Sequence, residues 1–141
     1  MAAGSVLADK GIVAAGLTLI VGQSLLSYFI AGFTKLISSV WRNGEAVRGV
    51  MRTEAYGHPV ASRIIRKNPG LGVVLGWTVI SLELCFPFVI VLPMPAAICL
   101  LGVAAVFHIL NAIFMGLNTF ALSFPASYPA IITLNHYIHL V

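Results

Sequence analysis

The sequence predicts an all-α protein: a polytopic membrane helical bundle with three transmembrane helices and a short fourth C-terminal helix or half-span. Hydrophobic residues make up 60% of the 141 residues and charged residues only 9%, whereas soluble domains carry about 25% charged residues. The mean hydropathy is +1.02, and a soluble fold of this length could not bury so much apolar surface. The same composition excludes an intrinsically disordered chain. The prediction of membrane spans also rests on long, almost uncharged runs whose length is sufficient to cross a bilayer.

We treat residues 1–141 as a single membrane domain, whose first half contains one transmembrane helix and one basic loop. The first helix is predicted at about 11–40, an apolar run in which Lys35 is the only charged residue. The basic loop covers 41–69 and holds six basic side chains against two acidic ones. An Asn-Pro-Gly cluster ends the loop, because such clusters break regular structure.

The second half contains two further spans and the short fourth helix. The second transmembrane helix is predicted at about 70–92, with Glu83 as its only charge, and a Pro-Met-Pro turn ends it because proline cannot continue a helix. The third is predicted at about 96–124 and has no formally charged residue. The last element, about 129–141, is too short to span a bilayer comfortably. The positive-inside rule predicts that the basic segment 42–67 is cytoplasmic.

Lys35, Glu83 and His108 are the candidate catalytic residues, because ionisable side chains inside transmembrane helices are costly and usually functional. A charge at the bilayer centre costs about 2.5–3.5 kcal/mol on the mildest scale. Glu83 lies near the middle of its helix, so its carboxyl group must face the bundle. It is either a neutral group that joins helices or a proton carrier or cation partner. No metal site is predicted, because no second ligand is suitably spaced from His108.

Two polar faces accompany these residues. The face on the first helix consists of Ser24, Tyr28, Lys35 and Ser38. Its helical spacing predicts a lysine turned inward, rather than one whose stem reaches the interface near Trp41. A lysine removed from water gives up its proton more readily, which suits a general base. The face on the third helix consists of His108, Asn111, Met115 and Asn118, and hydrogen bonding between helices is its alternative explanation.

Three short segments carry a family resemblance. The first is Tyr28-Phe29-Ile30-Ala31-Gly32-Phe33-Thr34-Lys35-Leu36 with Trp41 and Gly44, the second is Glu83 with Phe86-Pro87, and the third is Phe107-His108 with Asn111, Gly116 and Phe120. In order and spacing they resemble the horizontally transferred transmembrane (HTTM) domain, the membrane domain of the vitamin K-dependent gamma-glutamyl carboxylases and their bacterial relatives. The resemblance covers about Gly22 to Phe124 and only the later half of such a domain.

The resemblance implies chemistry on a quinone. In the carboxylases, the lysine that matches Lys35 is regarded as the base that deprotonates reduced vitamin K. The chain is also similar to the DoxX/MauE-like four-helix redox-associated membrane proteins. Their Gly-x-x-Lys-Leu pattern and their glutamate in the second helix are matched by Gly32, Lys35, Leu36 and Glu83.

Three functions remain open. The first is a quinone-interacting membrane enzyme or half-enzyme, with a vitamin K-like quinone as cofactor, Lys35 as base, Glu83 as proton relay, and His108 with Asn111 orienting the quinol oxygens. The second is a non-catalytic accessory subunit of a larger membrane complex, and the third is an anionic lipid- or peptide-handling protein. The expected partners are the lipid bilayer and other membrane subunits that supply further helices, with no nucleic acid. The candidate ligand-binding residues are Tyr28, Trp41, Asn111 and Asn118.

Overall fold

The computed structural model describes residues 2–53 and 59–140. Glu54, with the rest of segment 54–58 in the predicted basic loop, and Val141, at the end of the predicted fourth helix, lie outside the described residues. Helices form almost all of the described chain and no strand occurs within it, so the predicted all-α class is confirmed. In chain order the α-helices are α1 (Ala2–Ile37), α2 (Ser39–Arg42), α3 (Glu45–Arg52), α4 (Pro59–Lys67), α5 (Pro69–Cys85), α6 (Met94–Met115), α7 (Asn118–Ser123) and α8 (Tyr128–Leu140).

Three of the described helices are long and apolar enough to cross a membrane. The candidate spans are Gly11–Ile37 in α1, Pro69–Ile90, and Met94–Met115 in α6. In the second span, the α-helix ends at Cys85 and a 3-10 turn, Phe86–Ile90, continues it. The turn begins beside Pro87, whose missing N–H cannot extend the α-helical hydrogen bonds.

The basic segment contains helices, where the sequence predicted a loop over 41–69. In α3 and α4 the apolar residues recur at helical spacing, so that Val47 and Ile65 are buried while Arg63 and Arg66 are exposed. Both short helices pack against each other and against α5. Packing of one apolar face stabilises them, since helices of this length are marginal in isolation.

The third span ends nine residues earlier than the sequence predicted. α6 stops at Met115 because Gly116 adopts φ 66°, a left-handed conformation that glycine adopts at little cost and that ends a helix. Of the remaining residues to Phe124, Gly116 and Leu117 are not helical and Asn118–Ser123 form α7.

The C-terminal segment runs back along α6 as a broken helix. α7 is followed by a 3-10 turn, Pro125–Ser127, and then by α8, the short fourth helix that the sequence predicted. The ring of Phe124 stacks on His108 in the middle of α6. In the middle of α8, the amide nitrogen of Asn135 is hydrogen-bonded to the carbonyl oxygens of Val89, Ile90 and Leu92. α8 therefore reaches the end of the bundle opposite the basic segment.

A close approach of α1 and α5 fixes the centre of the bundle. A Cβ atom on Gly32 would lie 2.9 Å from the Cβ of Glu83 and 2.9 Å from the backbone nitrogen of Leu84. Only glycine fits there without moving the helices. Small residues at such crossings let the two backbones pack directly against each other. This contact sets the position of the site.

Candidate functional site

Lys35 and Glu83 form an ion pair between α1 and α5. The Lys35 Nζ donates hydrogen bonds to both Glu83 carboxylate oxygens, Oε1 at 2.9 Å and Oε2 at 2.8 Å. A third donation goes to the carbonyl oxygen of Ala31 at 3.3 Å. The pair forms because Lys35 follows Gly32 by one helical turn, and Gly32 brings α1 against Glu83. Each charge therefore has its counter-ion within the bundle, and the lysine is turned inward.

Trp41 completes the surroundings of the lysine. Its ring centroid lies 5.1 Å from the Lys35 Nζ, within the range in which a cation is attracted to an aromatic face. Trp41 belongs to the short helix α2, which follows α1 and places the ring beside Lys35. The ammonium group thus lies between a carboxylate and an aromatic ring.

A second polar cluster joins α1, α6 and α8. The Tyr28 hydroxyl lies 2.7 Å from His108 Nε2 and 3.2 Å from the Tyr128 hydroxyl, so it is hydrogen-bonded to both. Tyr28 stacks on Phe86 with a centroid distance of 3.6 Å, and His108 stacks on Phe124 at 4.6 Å. The aromatic rings hold both side chains in fixed orientations.

His108 retains an unused hydrogen-bonding atom. The imidazole is 3% exposed, and its Nδ1 has no hydrogen-bond partner within the described part of the chain. Leaving a buried polar atom unpaired costs about 1–3 kcal/mol. Such atoms in native proteins call for an explanation, of which an absent ligand is one.

Both clusters lie on the wall of one cavity of about 750 Å³. Tyr28 and Lys35 are two helical turns apart on the same face of α1, which corresponds to about 10 Å along the axis. Between and around them the wall is mostly apolar, with contributions from Val47, Met51 and Ile65. The arrangement resembles a general small-molecule site, in which an apolar pocket carries a few polar groups that fix orientation.

The structure brings most of the predicted site residues together. The cavity is lined by Tyr28, Lys35, Trp41, Glu83, His108 and Asn111. Asn118 is separate from them: it is exposed and begins α7. The predicted polar face assumed that the third helix continued past residue 115, and the turn at Gly116 breaks that register. Asn118 is therefore not part of the cavity wall.

Three residues of the site were not predicted as site residues: Phe86, Phe124 and Tyr128. Tyr128 lies between Pro125 and Pro129, in a stretch that the sequence marks only as a break in the helix. Its contact with Tyr28 spans 100 residues of the chain. Tyr128 is a single polar residue between two prolines and belongs to no periodic pattern. The sequence therefore gives no indication that it contacts Tyr28.

Metal ligation has no geometric support in the part of the chain that the structure describes. No group of three His, Cys, Asp or Glu residues there could hold a metal ion. His139, which follows His136 at helical spacing, has its Nε2 in hydrogen-bond contact with the Leu92 carbonyl oxygen, 2.9 Å away. It serves the packing of α8.

In comparisons with known proteins, the chain matches no family model, no curated protein and no solved structure. Function is therefore inferred from the cavity and from the residues that line it.

Proposed function

We propose that this protein binds a quinone-class molecule within the membrane and exchanges protons with it. One observation carries the proposal: an ion pair and a tyrosine–histidine hydrogen bond line the same apolar cavity of about 750 Å³. A quinone has a flat apolar ring and two oxygens on opposite sides of it. Two polar clusters about two helical turns apart on α1 match that distribution of polarity.

The residues present fit such a ligand in size and in chemistry. Ligand cavities in proteins measure about 300–1,000 Å³, and this one lies within that range. The Lys35 ammonium can donate a hydrogen bond to a carbonyl oxygen, and the Glu83 carboxylate can accept one from a hydroxyl group. His108, whose Nδ1 is buried and has no partner in the described part of the chain, also lines the cavity. The ring of Trp41 offers a flat face for stacking.

The ion pair is the proton-exchanging unit of the proposal. With Nζ donating to both carboxylate oxygens, Lys35 carries the proton and Glu83 is the acceptor. A hydroxyl group that replaces one of these bonds can pass its proton to Glu83 Oε2 while Lys35 balances the charge. The pair would then take the role of base that the resemblance implies for Lys35 alone. A bound quinone would supply redox chemistry, and membership of the HTTM or DoxX/MauE-like families is part of the same proposal.

Trp41 provides a direct test of binding. Quinones quench tryptophan fluorescence on contact, and replacing the exposed Trp77 by Phe leaves Trp41 as the sole tryptophan. We expect saturable quenching of Trp41 by a short-tailed ubiquinone in nanodiscs. We expect Lys35→Met to lower the affinity for the quinone at least about tenfold, since one hydrogen bond to a charged group is worth about 1.5–3 kcal/mol.

A matched control is available in Lys67→Met, which removes an exposed lysine outside the cavity. That variant should bind the quinone like the unmodified protein. Quenching that rises linearly without saturation, or equal affinities for Lys35→Met and Lys67→Met, would reject the proposal.

A second candidate function is that of an accessory subunit in a larger membrane complex. Gly11, Ala15, Thr18 and Gly22 form an exposed face of small residues on α1, and such faces let another helix approach closely. Partner chains that supply further helices would then cover this face. If so, blue-native gels of mild-detergent extracts will show a complex that Gly22→Leu disrupts. A monomer in both cases would remove this candidate.

The basic segment supports a topology with residues 42–67 in the cytoplasm, by the positive-inside rule. In a background of Cys85→Ser and Cys99→Ser, the exposed Arg63→Cys should react with an impermeant maleimide only after cells are permeabilised. Labelling in intact cells would show instead that this segment lies outside the cytoplasm. Exposed basic side chains here also support the third function considered, contact with anionic lipids.

A further inference from the structure

The cavity has an apolar rim that belongs to two helices. On α4, Val60 and Ile64 line the cavity although they are 54% and 47% exposed. On α6, Leu110 lines it and is 45% exposed. A residue that both lines a cavity and is half exposed stands at its edge. These three side chains therefore mark an opening.

The two helices at this edge are not packed together. α4 packs against α3 and α5, whereas α4 and α6 make few or no contacts in the described part of the chain. The buried Ile65 attaches α4 to the bundle, whereas the neighbouring Ile64 is half exposed at the edge of the cavity. The gap between α4 and α6 thus lacks the interdigitating side chains that close a helix interface.

The charges of α4 indicate the depth of this opening. Arg63, Arg66 and Lys67 are exposed and, by helical spacing, lie on one side of α4, with Ile64 and Ile65 on the other side and Val60 at the boundary between them. A basic amphipathic helix lies in the membrane interface, with its apolar face at the boundary between headgroups and acyl chains. Ile64 then meets the acyl chains, with Val60 at the boundary to the basic side, and the opening lies just below the headgroups.

We propose that the ligand enters the cavity sideways from the bilayer, between α4 and α6, and that it carries a hydrocarbon tail that stays in this opening. The inference rests on the proposed function and extends it to the ligand class: a quinone with an isoprenoid or alkyl tail, delivered by the membrane rather than by water. The head reaches Lys35 and Glu83, while Val60, Ile64 and Leu110 contact the tail.

The test compares two ubiquinones, one without a tail and one with a decyl tail. Association is followed by stopped-flow quenching of Trp41 in Trp77→Phe protein in nanodiscs. The double variant Ile64→Tyr/Leu110→Tyr narrows the opening without adding a tryptophan. It should slow association of the decyl quinone about tenfold, because a restricted approach lowers association rates, and change the tail-free quinone less than about twofold.

Ile113→Tyr is the matched control, since Ile113 is exposed on α6 outside the cavity; it should change neither rate. Ile64→Ala/Leu110→Ala widens the opening and should bind the decyl quinone at least as fast as the unmodified protein. Equal slowing of both quinones by the tyrosine pair, or no slowing of either, would overturn the lateral opening while leaving the proposed function intact. Absence of saturable quenching by both quinones in the unmodified protein would overturn the proposed function, and the opening with it.

Discussion

Lys35 and Glu83 neutralise each other in the region where an unpaired charge costs most. The Glu83 side chain is 8% exposed and that of Lys35 19%, and both carboxylate oxygens accept a hydrogen bond from the lysine. A pair of this kind is weak evidence of stabilisation, since two packed apolar side chains often do as well. A stabilising role alone therefore does not account for the pair.

Two variants separate the cost of an unpaired buried charge from the contribution of the pair itself. Lys35→Met leaves the Glu83 carboxylate buried without its partner, and we expect it to lower the free energy of unfolding by about 3 kcal/mol. Lys35→Met/Glu83→Leu removes both charges, and its free energy of unfolding should lie within about 1 kcal/mol of that of the unmodified protein. Reversible denaturation in mixed micelles measures both. A double variant as unstable as the single one would show that the pair is a structural requirement.

Tyr28 is the residue on which the second cluster depends. Tyr28→Phe removes the partner of His108 Nε2 and of the Tyr128 hydroxyl, and His108 Nδ1 is already unpartnered. We expect a loss of about 1–2 kcal/mol in the free energy of unfolding, the usual cost of unpaired buried polar atoms. Tyr137→Phe, at a 60% exposed tyrosine of α8, should change it by less than about 0.5 kcal/mol. Equal values for the two variants would remove Tyr28 from the buried network.

At the scale of the elements, the crossing of α1 and α5 determines whether the ion pair can form. Gly32→Ala would place a Cβ 2.9 Å from a backbone nitrogen of α5, and neither helix can yield without separating. We expect a loss of about 2 kcal/mol in the free energy of unfolding, typical of overpacking, together with weaker quinone binding. Gly102→Ala provides the control, because its Cβ would meet nothing within 4 Å. A neutral Gly32→Ala would contradict the close crossing.

Asn135 attaches α8 to the end of the second span. The two hydrogens of its amide nitrogen are shared among the carbonyl oxygens of Val89, Ile90 and Leu92, all within hydrogen-bond distance. Asn135→Leu should lower the free energy of unfolding by about 2 kcal/mol, since buried acceptors are left unpaired. Thr133→Val, which removes a hydroxyl bonded only within α8, should cost less than half as much. Similar losses of unfolding free energy in both variants would indicate that α8 is sensitive to any loss of a polar side chain, and that Asn135 has no special role.

At the scale of the whole molecule, composition and charge spacing are enough to predict the class and the three spans, because the bilayer requires about 20 apolar residues per helix. Lys35, Glu83 and His108 stand out for the same reason: each is costly at its depth. The end of the third span is harder to predict, because the turn at Gly116 interrupts an apolar run that continues to Phe124. The break before Tyr128 is marked in the sequence by Pro125 and Pro129. The helices of the basic segment are also hard to predict, because tertiary contacts stabilise them.

The central claim, that the cavity holds a quinone-class ligand, is tested most directly by photoaffinity labelling. A diazirine-bearing quinone in nanodiscs, followed by peptide mapping, should label cavity residues such as Trp41, Phe107 and Met115. Excess unmodified quinone should suppress that labelling, and Lys35→Met/Glu83→Leu should reduce it. Labelling confined to lipid-facing residues outside the cavity, such as Ile113 and Val74, and insensitive to competitor would contradict the account.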